Sequence, residues 1–187
     1  MILKLRNIFL GAILLVSFSF TVQAQDITSE TNRHKPVTTE NLGLTWTKTN
    51  VHEITGTVEV GCGYTPGIGN QCDPYTGDTD CDVELPLLCF LDAELDQPAD
   101  LDTPSRYHQW SGGIVATTDI VSGNSFKDIS DANYFCEQNF GQGWRVAEHH
   151  DGWGWYFWAY GNIGEDFEGG RFWVDINDQP DGTCWTH

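Results

Sequence analysis

Apolar residues along this chain fall into short runs with two different periods. Thr55–Val60 alternates, with Val58 and Val60 on one face, which predicts a short strand. Leu85–Leu91 is a nearly continuous apolar run and predicts a buried strand. Tyr107–Trp110 and Ile114–Thr118 read as strands on either side of Gly112-Gly113. The period then changes: Ala132, Phe135, Cys136 and Phe140 recur at helical spacing. Ser130 supplies an N-cap, Ile129 a hydrophobic staple and Gly141 a stop. One principal helix is therefore predicted over 131–140, with Cys136 on its buried face. Trp144–Glu148 returns to a strand. Arg171–Asn177 alternates most clearly, with Phe172, Val174 and Ile176 on one face and Trp173, Asp175 and Asn177 on the other. A turn over 178–182 and a closing strand over 183–186, carrying Cys184, end the pattern. The predicted fold class is α+β: a small disulfide-stapled domain, mostly antiparallel strands with one principal helix.

The pattern also divides the chain. Lys4 and Arg6 precede an apolar run from Ile8 to Phe20, followed by Val22-Gln23-Ala24. Residues 1–24 thus read as a secretory signal peptide, because the run is shorter than the ~20 residues a membrane span needs. No later run is long enough, so no membrane span is expected in the mature chain, which is expected to be secreted or periplasmic. Residues 25–54 read as a flexible polar arm and 55–104 as a Cys-rich acidic segment with a solvated loop at 92–102. Residues 105–187 read as the main aromatic-rich unit.

Charge changes the picture of partners. The chain holds 27 acids against 9 Lys and Arg, a net charge of −18. Loss of the leader would leave seven basic residues against those 27 acids, a charge of −20. Such a field repels phosphate, which argues against nucleic acid and against anionic substrates generally.

All six cysteines, Cys62, Cys72, Cys81, Cys89, Cys136 and Cys184, follow the leader. An even number in an exported chain predicts three disulfides among fifteen conceivable pairings. Proximity in sequence pairs the first four among themselves and leaves Cys136 to Cys184. Zinc–thiolate binding would need closer spacings of the C-x-x-C kind.

Around the helix, Ala132, Cys136, Gly141 and Gly143-Trp144-Arg145 resemble the A-x-x-x-C … G-x-G-W-R signature of C-type-lectin-like folds. Exported bacterial domains of the formylglycine-generating-enzyme-like group carry that signature. Phe172-Trp173-Val174 and Cys184-Trp185 fit its last-strand part. The resemblance covers a short stretch in the last third of the chain, and Val146-Ala147-Glu148 replaces the usual Leu-Pro ending with its Glu. It implies a C-type-lectin-like fold with a last-strand cysteine bonded back to the helix. It implies no activity.

Three clusters could carry chemistry. In Glu148-His149-His150-Asp151, imidazole and carboxylate groups suit a transition metal, with His149, His150 and Asp151 as ligands. Strand neighbours point apart, so a further ligand would come from His108, His187 or Asp175. In Trp153–Tyr160, a strand would put Trp153, Trp155 and Phe157 on one face and Tyr156, Trp158 and Tyr160 on the other. An aromatic face of this kind suits the apolar face of a sugar ring, with Trp173, Asp175 and Asn177 as further contacts; core packing or a protein patch are the competing readings. Asp73, Asp78, Asp80 and Asp82 offer oxygen donors of the calcium type, without the distal Glu of the usual loop. Asp175, Asn177, Asp178 and Asp181 form a second such set. There is no G-x-S-x-G, no free cysteine is expected, and no catalytic residue is assigned. The expected function is a soluble exported binding module for glycans or a cell-surface partner, assisted by calcium. The alternatives are a metal-binding protein or metal-dependent enzyme centred on His149 and His150, and an envelope-associated structural protein with no small ligand.

Overall fold

The structure, a computed structural model, describes residues 41–103, 105–161, 163 and 170–187. The expected leader and the first part of the expected arm, up to residue 40, lie outside the described residues.

The strands are β1 (Leu42–Gly43), β2 (Thr45–His52), β3 (Thr57–Gly61), β4 (Tyr64–Thr65), β5 (Gly69–Asn70), β6 (Thr79–Asp80), β7 (Glu84–Asp92), β8 (Gln109–Ser122), β9 (Arg145–Val146), β10 (Tyr156–Tyr160) and β11 (Arg171–Trp173). One helix, α1 (Ile129–Phe140), lies between β8 and β9. Six strands close on themselves in the order β11-β2-β3-β10-β8-β7, with Trp173 on β11 meeting Leu87 on β7 to shut the ring. The β10–β8 and β11–β7 pairs are parallel and the others antiparallel, so the barrel is mixed. Closure removes the unpaired edges that an open sheet of these strands would expose. β9 pairs with β7 outside the ring.

The period-2 patterns set the two faces of this wall. Val58 and Val60 on β3, Leu88 and Phe90 on β7, Phe157 and Ala159 on β10, and Phe172 on β11 point into the barrel with Trp46. Val174 and Ile176 continue the inward face of β11, as their alternation predicts. The opposite faces of β7 and β11 carry Leu85, Leu87, Cys89 and Trp173, and these pack against Ala132 and Cys136 of the helix. β7 is thus apolar on both sides, which is why its sequence reads as a continuous run.

Several expectations are corrected. Thr45–His52, expected to lie in the polar arm, is a barrel strand with Leu44 and Trp46 buried at its start. The pattern TWTKTNVH hides it, because each face carries only one apolar residue, Trp46 on one and Val51 on the other. The segments on either side of residue 104 share one barrel, so the Cys-rich segment is part of the main unit. The two short strands expected around Gly112-Gly113 are one long strand, with Gly112 absorbing the bend at φ +77°. Trp144–Glu148 shortens to Arg145–Val146, and Arg171–Asn177 to Arg171–Trp173 with isolated bridges at Glu148–Asp175. Residues 183–186 form no strand; Thr186 makes a single bridge to Asp128. The helix starts at Ile129, and Asp128 rather than Ser130 caps it by accepting from the Asp131 N–H at 3.1 Å.

Three disulfides join Cys62 to Cys72, Cys81 to Cys184, and Cys89 to Cys136. The expected Cys136–Cys184 bond is not formed, nor is the helix-to-last-strand pairing that the lectin-like resemblance implies. Cys136 faces β7, and its nearest partner is therefore Cys89 on the outer face of that strand. Cys184 instead lies beside Gly43 and Gly123, next to Cys81. The fold is mostly β with one helix, and a closed six-stranded mixed barrel is not clearly the C-type-lectin arrangement. Among the described residues no helix is long and apolar enough to cross a membrane.

Candidate functional site

An open groove of about 800 Å³ lies between β2 and the start of β10. Five separate segments line it: Thr47–Thr49 on β2, Gly63-Tyr64, Asn70-Gln71, Tyr107-His108, and Trp155-Tyr156 entering β10. Its floor depends on Gly61. A Cβ there would strike the Trp155 carbonyl and the Tyr156 ring, so only glycine lets that ring lie across β3. One wall is the β4–β5 hairpin, tied at its base by Cys62–Cys72 and by the Gln71 N–H donating to the Gly63 carbonyl at 3.0 Å. Tyr64 and Tyr107 both line it and are exposed.

Behind the aromatic rings lies a fixed polar layer. The His108 ring stacks on Tyr156, with centroids 4.7 Å apart and planes at 18°. His108 Nδ1 is 2.6 Å from Glu59 Oε1, and the Thr49 hydroxyl donates to Glu59 Oε2 at 2.7 Å. Glu59 is only 7 % exposed although it sits on the outer face of a strand, because His108 and Trp158 cover it. Burial, and then the Glu59 charge, raise the pKa of the Tyr156 phenol, so that ring is neutral and able to donate.

Trp155 is held from the other side. Its ring packs edge-on against His149 at 5.6 Å, and His149 packs edge-on against Trp46 at the same distance. Burial, reinforced by neighbouring His150, lowers the His149 pKa to about 4, so this imidazole is neutral. Its Nδ1 and the Trp46 Nε1 are buried without a hydrogen-bond partner among the described residues. Trp153, Gly154 and Trp155 run at φ of +76°, +84° and +64°, a turn where tryptophan is strained. Such strain persists only where the surrounding packing over-determines it.

The aromatic run is therefore split. Trp155 and Tyr156 reach the groove, whereas Trp158 and Trp173 are buried in the wall and offer no platform. Tyr160 is half-buried and packs edge-on against Trp110. Trp153 is exposed but does not line the groove. Trp153–Trp155 form no strand, so the predicted alternation of faces starts only at Tyr156.

The acidic and histidine clusters are consumed by the chain itself. Asp151 pairs with Arg145 and accepts from the Glu148 N–H at 2.7 Å. His150 is exposed beside Glu148 at 2.9 Å. Asp175 accepts from the Thr183 hydroxyl at 3.0 Å and lies 3.3 Å from His187; burial raises its pKa, and His187 and Thr183 oppose that rise. Asn177 is exposed and donates its N–H to Glu148 at 3.2 Å. Asp73 closes an Asx turn on Tyr75 and Thr76, and burial partly offsets the lowering of its pKa by those bonds. Asp78 binds Thr45 and lies near Arg171, Asp80 accepts from the Asp82 N–H, and Asp82 accepts from Asn124. Among the described residues no three His, Cys, Asp or Glu side chains are grouped to hold a metal ion, for calcium or for a transition metal.

Sequence reasoning missed Thr47, Thr49, Glu59, Tyr64, Asn70, Gln71 and Tyr107, and it considered His108 only as a spare metal ligand. They are scattered over separate segments, so no local spacing marks the set. Comparison with protein-family models, curated proteins and solved structures finds no match.

Proposed function

We propose that this protein is an exported glycan-binding module whose ligand lies in the groove at Trp155 and Tyr156. The carrying observation is an open, solvent-facing groove in which aromatic rings lie among amide and hydroxyl side chains, with Lys48 and His108, across five segments. Flat rings supply apolar contact for the faces of pyranose rings, while Asn70, Gln71 and Thr49 offer the neutral donors and acceptors that sugar hydroxyls need. The groove is open rather than enclosed, which suits a segment of a longer chain. Three disulfides support an extracytoplasmic location, where glycans are met. Calcium forms no part of this reading, because the acidic loops engage their carboxylates with neighbouring backbone and side-chain groups.

Glycan-array screening followed by titration calorimetry tests it. Binding of at least one oligosaccharide is expected, weakened about tenfold in Trp155→Ala, the equivalent of about 1.4 kcal/mol for the lost ring contact. Tyr64→Ala, at an exposed position outside the core, should weaken binding with no change in melting temperature. Absence of binding to any glycan, or binding indifferent to both substitutions, overturns the proposal.

A further inference from the structure

We infer that His108 sets ligand class in this groove: the neutral ring, held by Glu59 at Nδ1, presents a fixed hydrogen-bond acceptor that selects neutral hydroxyl-bearing sugars over anionic ones. The inference rests on the glycan-binding reading and narrows it. A carboxylate has acceptors only. With Glu59 Oε1 2.6 Å from His108 Nδ1, the ring must place a proton on Nδ1. In the neutral ring the lone pair then falls on Nε2, for which the described residues offer no partner.

Both shared residues are immobilised. Glu59 is buried on the central strand of three, and its other oxygen is taken by Thr49. His108 is pinned between that carboxylate and the Tyr156 ring face, and its own N–H donates to the Ser105 carbonyl at 3.0 Å. The ring therefore cannot turn over to exchange its nitrogens without breaking the Glu59 contact and the stack together. A preformed acceptor at the rim of an aromatic groove meets a sugar hydroxyl well. It meets a carboxylate or sulfate oxygen as acceptor against acceptor, with the buried Glu59 charge close behind. Glu59 is a positioning residue in this scheme: it touches no ligand and acts through the imidazole.

Two measurements test this. Long-range nitrogen–proton NMR of the intact mature protein at about pH 8.5, above the usual imidazole range, should show His108 protonated at Nδ1 only. In Glu59→Gln, whose amide can serve either ring nitrogen, the two tautomers should mix. A wild-type ring protonated at Nε2 overturns the inference. In calorimetry at the same pH, cello-, manno- and xylo-oligosaccharides serve as neutral probes and oligogalacturonate as the anionic one. Wild type should prefer whichever neutral probe binds by at least about tenfold over oligogalacturonate, a factor equal to one well-placed hydrogen bond. His108→Phe keeps the ring on Tyr156 and removes the acceptor; Glu59→Gln keeps the shape and removes the buried charge, so it remains informative if His108→Phe does not fold. Both should lose most of that preference. A neutral glycan bound equally by wild type and both variants refutes the role of His108 and leaves the groove reading intact. No glycan bound by wild type refutes both.

Discussion

Two polar concavities in this molecule differ in a way that their sequences do not announce. The groove beside Trp155 is poor in charge. A smaller pocket of about 300 Å³ under the start of the helix is lined by Asn133, Arg145, Glu148, Asp151, Asp175 and Asn177. Judged by residue type alone, the pocket is the more reactive of the two. Yet Asn133 accepts from the Val146 N–H at 2.8 Å, Glu148 from the His150 N–H at 2.8 Å, and Asp151 is engaged by Arg145 and the Glu148 N–H. Its carboxylates close turns and splice β9 to the end of β11. In the groove, polar residues are held from behind and keep a face toward solvent. A dense cluster of ligand-type residues in sequence is thus a poor guide to a site when neighbouring backbone N–H groups can consume it.

The disulfides break this comparison most strongly. Cys81–Cys184 spans 103 residues and Cys62–Cys72 only 10. Loop-closure entropy then predicts a loss of about 5 kcal/mol for Cys81→Ser/Cys184→Ser and about 3 kcal/mol for Cys62→Ser/Cys72→Ser, measured by urea unfolding. The two losses should differ in kind. The shorter bond staples the hairpin wall, so its removal should abolish glycan binding in protein that is still folded by circular dichroism. Unchanged affinity in that variant would mean the hairpin is no part of the site.

His149 touches both regions: its ring supports Trp155, and its N–H donates to the Asp175 carbonyl at 2.9 Å. Its pKa falls from 6.5 unfolded to about 4 folded. Below pH 6.5 the unfolded chain therefore binds a proton that the native state refuses, and stability drops as pH falls. The drop continues until about pH 4, where the native ring also protonates. The integrated cost is about 3 kcal/mol. Replacing the ring by an apolar one, His149→Phe, should remove that share of the acid loss, so the stability difference between variant and wild type should be constant above pH 7 and shift in the variant's favour by about 3 kcal/mol toward pH 4. Parallel curves across that range would show that the imidazole does titrate in the fold.

Asp151→Ala sharpens the contrast from the pocket side. It removes the acceptor of the Glu148 N–H and the partner of Arg145, whose side chain is 37 % exposed and can turn to water. We expect a loss of about 2 kcal/mol, mostly from the orphaned N–H, with glycan affinity unchanged. A loss of affinity without loss of stability would shift the functional assignment to the pocket.

The same contrast explains what can be read from the chain. Burial faces are legible wherever period 2 is strict, as in Phe172, Val174 and Ile176 or Val58 and Val60, because one wrong register would expose the whole set. Helical spacing places Cys136 on a buried face, as the structure has it. Its partner is not legible, since pairing depends on which strand the helix crosses, and proximity in sequence carries no such information. The β2 strand escapes notice because Trp46 is its only buried large apolar residue, Val51 being exposed. The site is half legible. Trp155 and Tyr156 stand out in an aromatic run, but Glu59 and His108 lie 49 residues apart and meet only when β3 and β8 both pair with β10.

The smallest effect concerns Trp153, which the aromatic run nominates as a ligand contact. It is 68 % exposed, sits at φ +76° and lies outside the groove lining. A left-handed backbone costs a bulky side chain about 1 kcal/mol or more, and glycine adopts it freely. An exposed ring recovers little of that cost by packing. Trp153→Gly should therefore stabilise the protein by about 1 kcal/mol, a rise of roughly 2–4 °C in melting temperature for a chain of this size. Its effect on binding decides how far the site extends. Unchanged affinity confines the ligand to the Trp155 side of the turn. A stabilised variant with weakened affinity would show that the strain at 153 is retained to hold an aromatic surface against the same sugar chain, one ring beyond the groove.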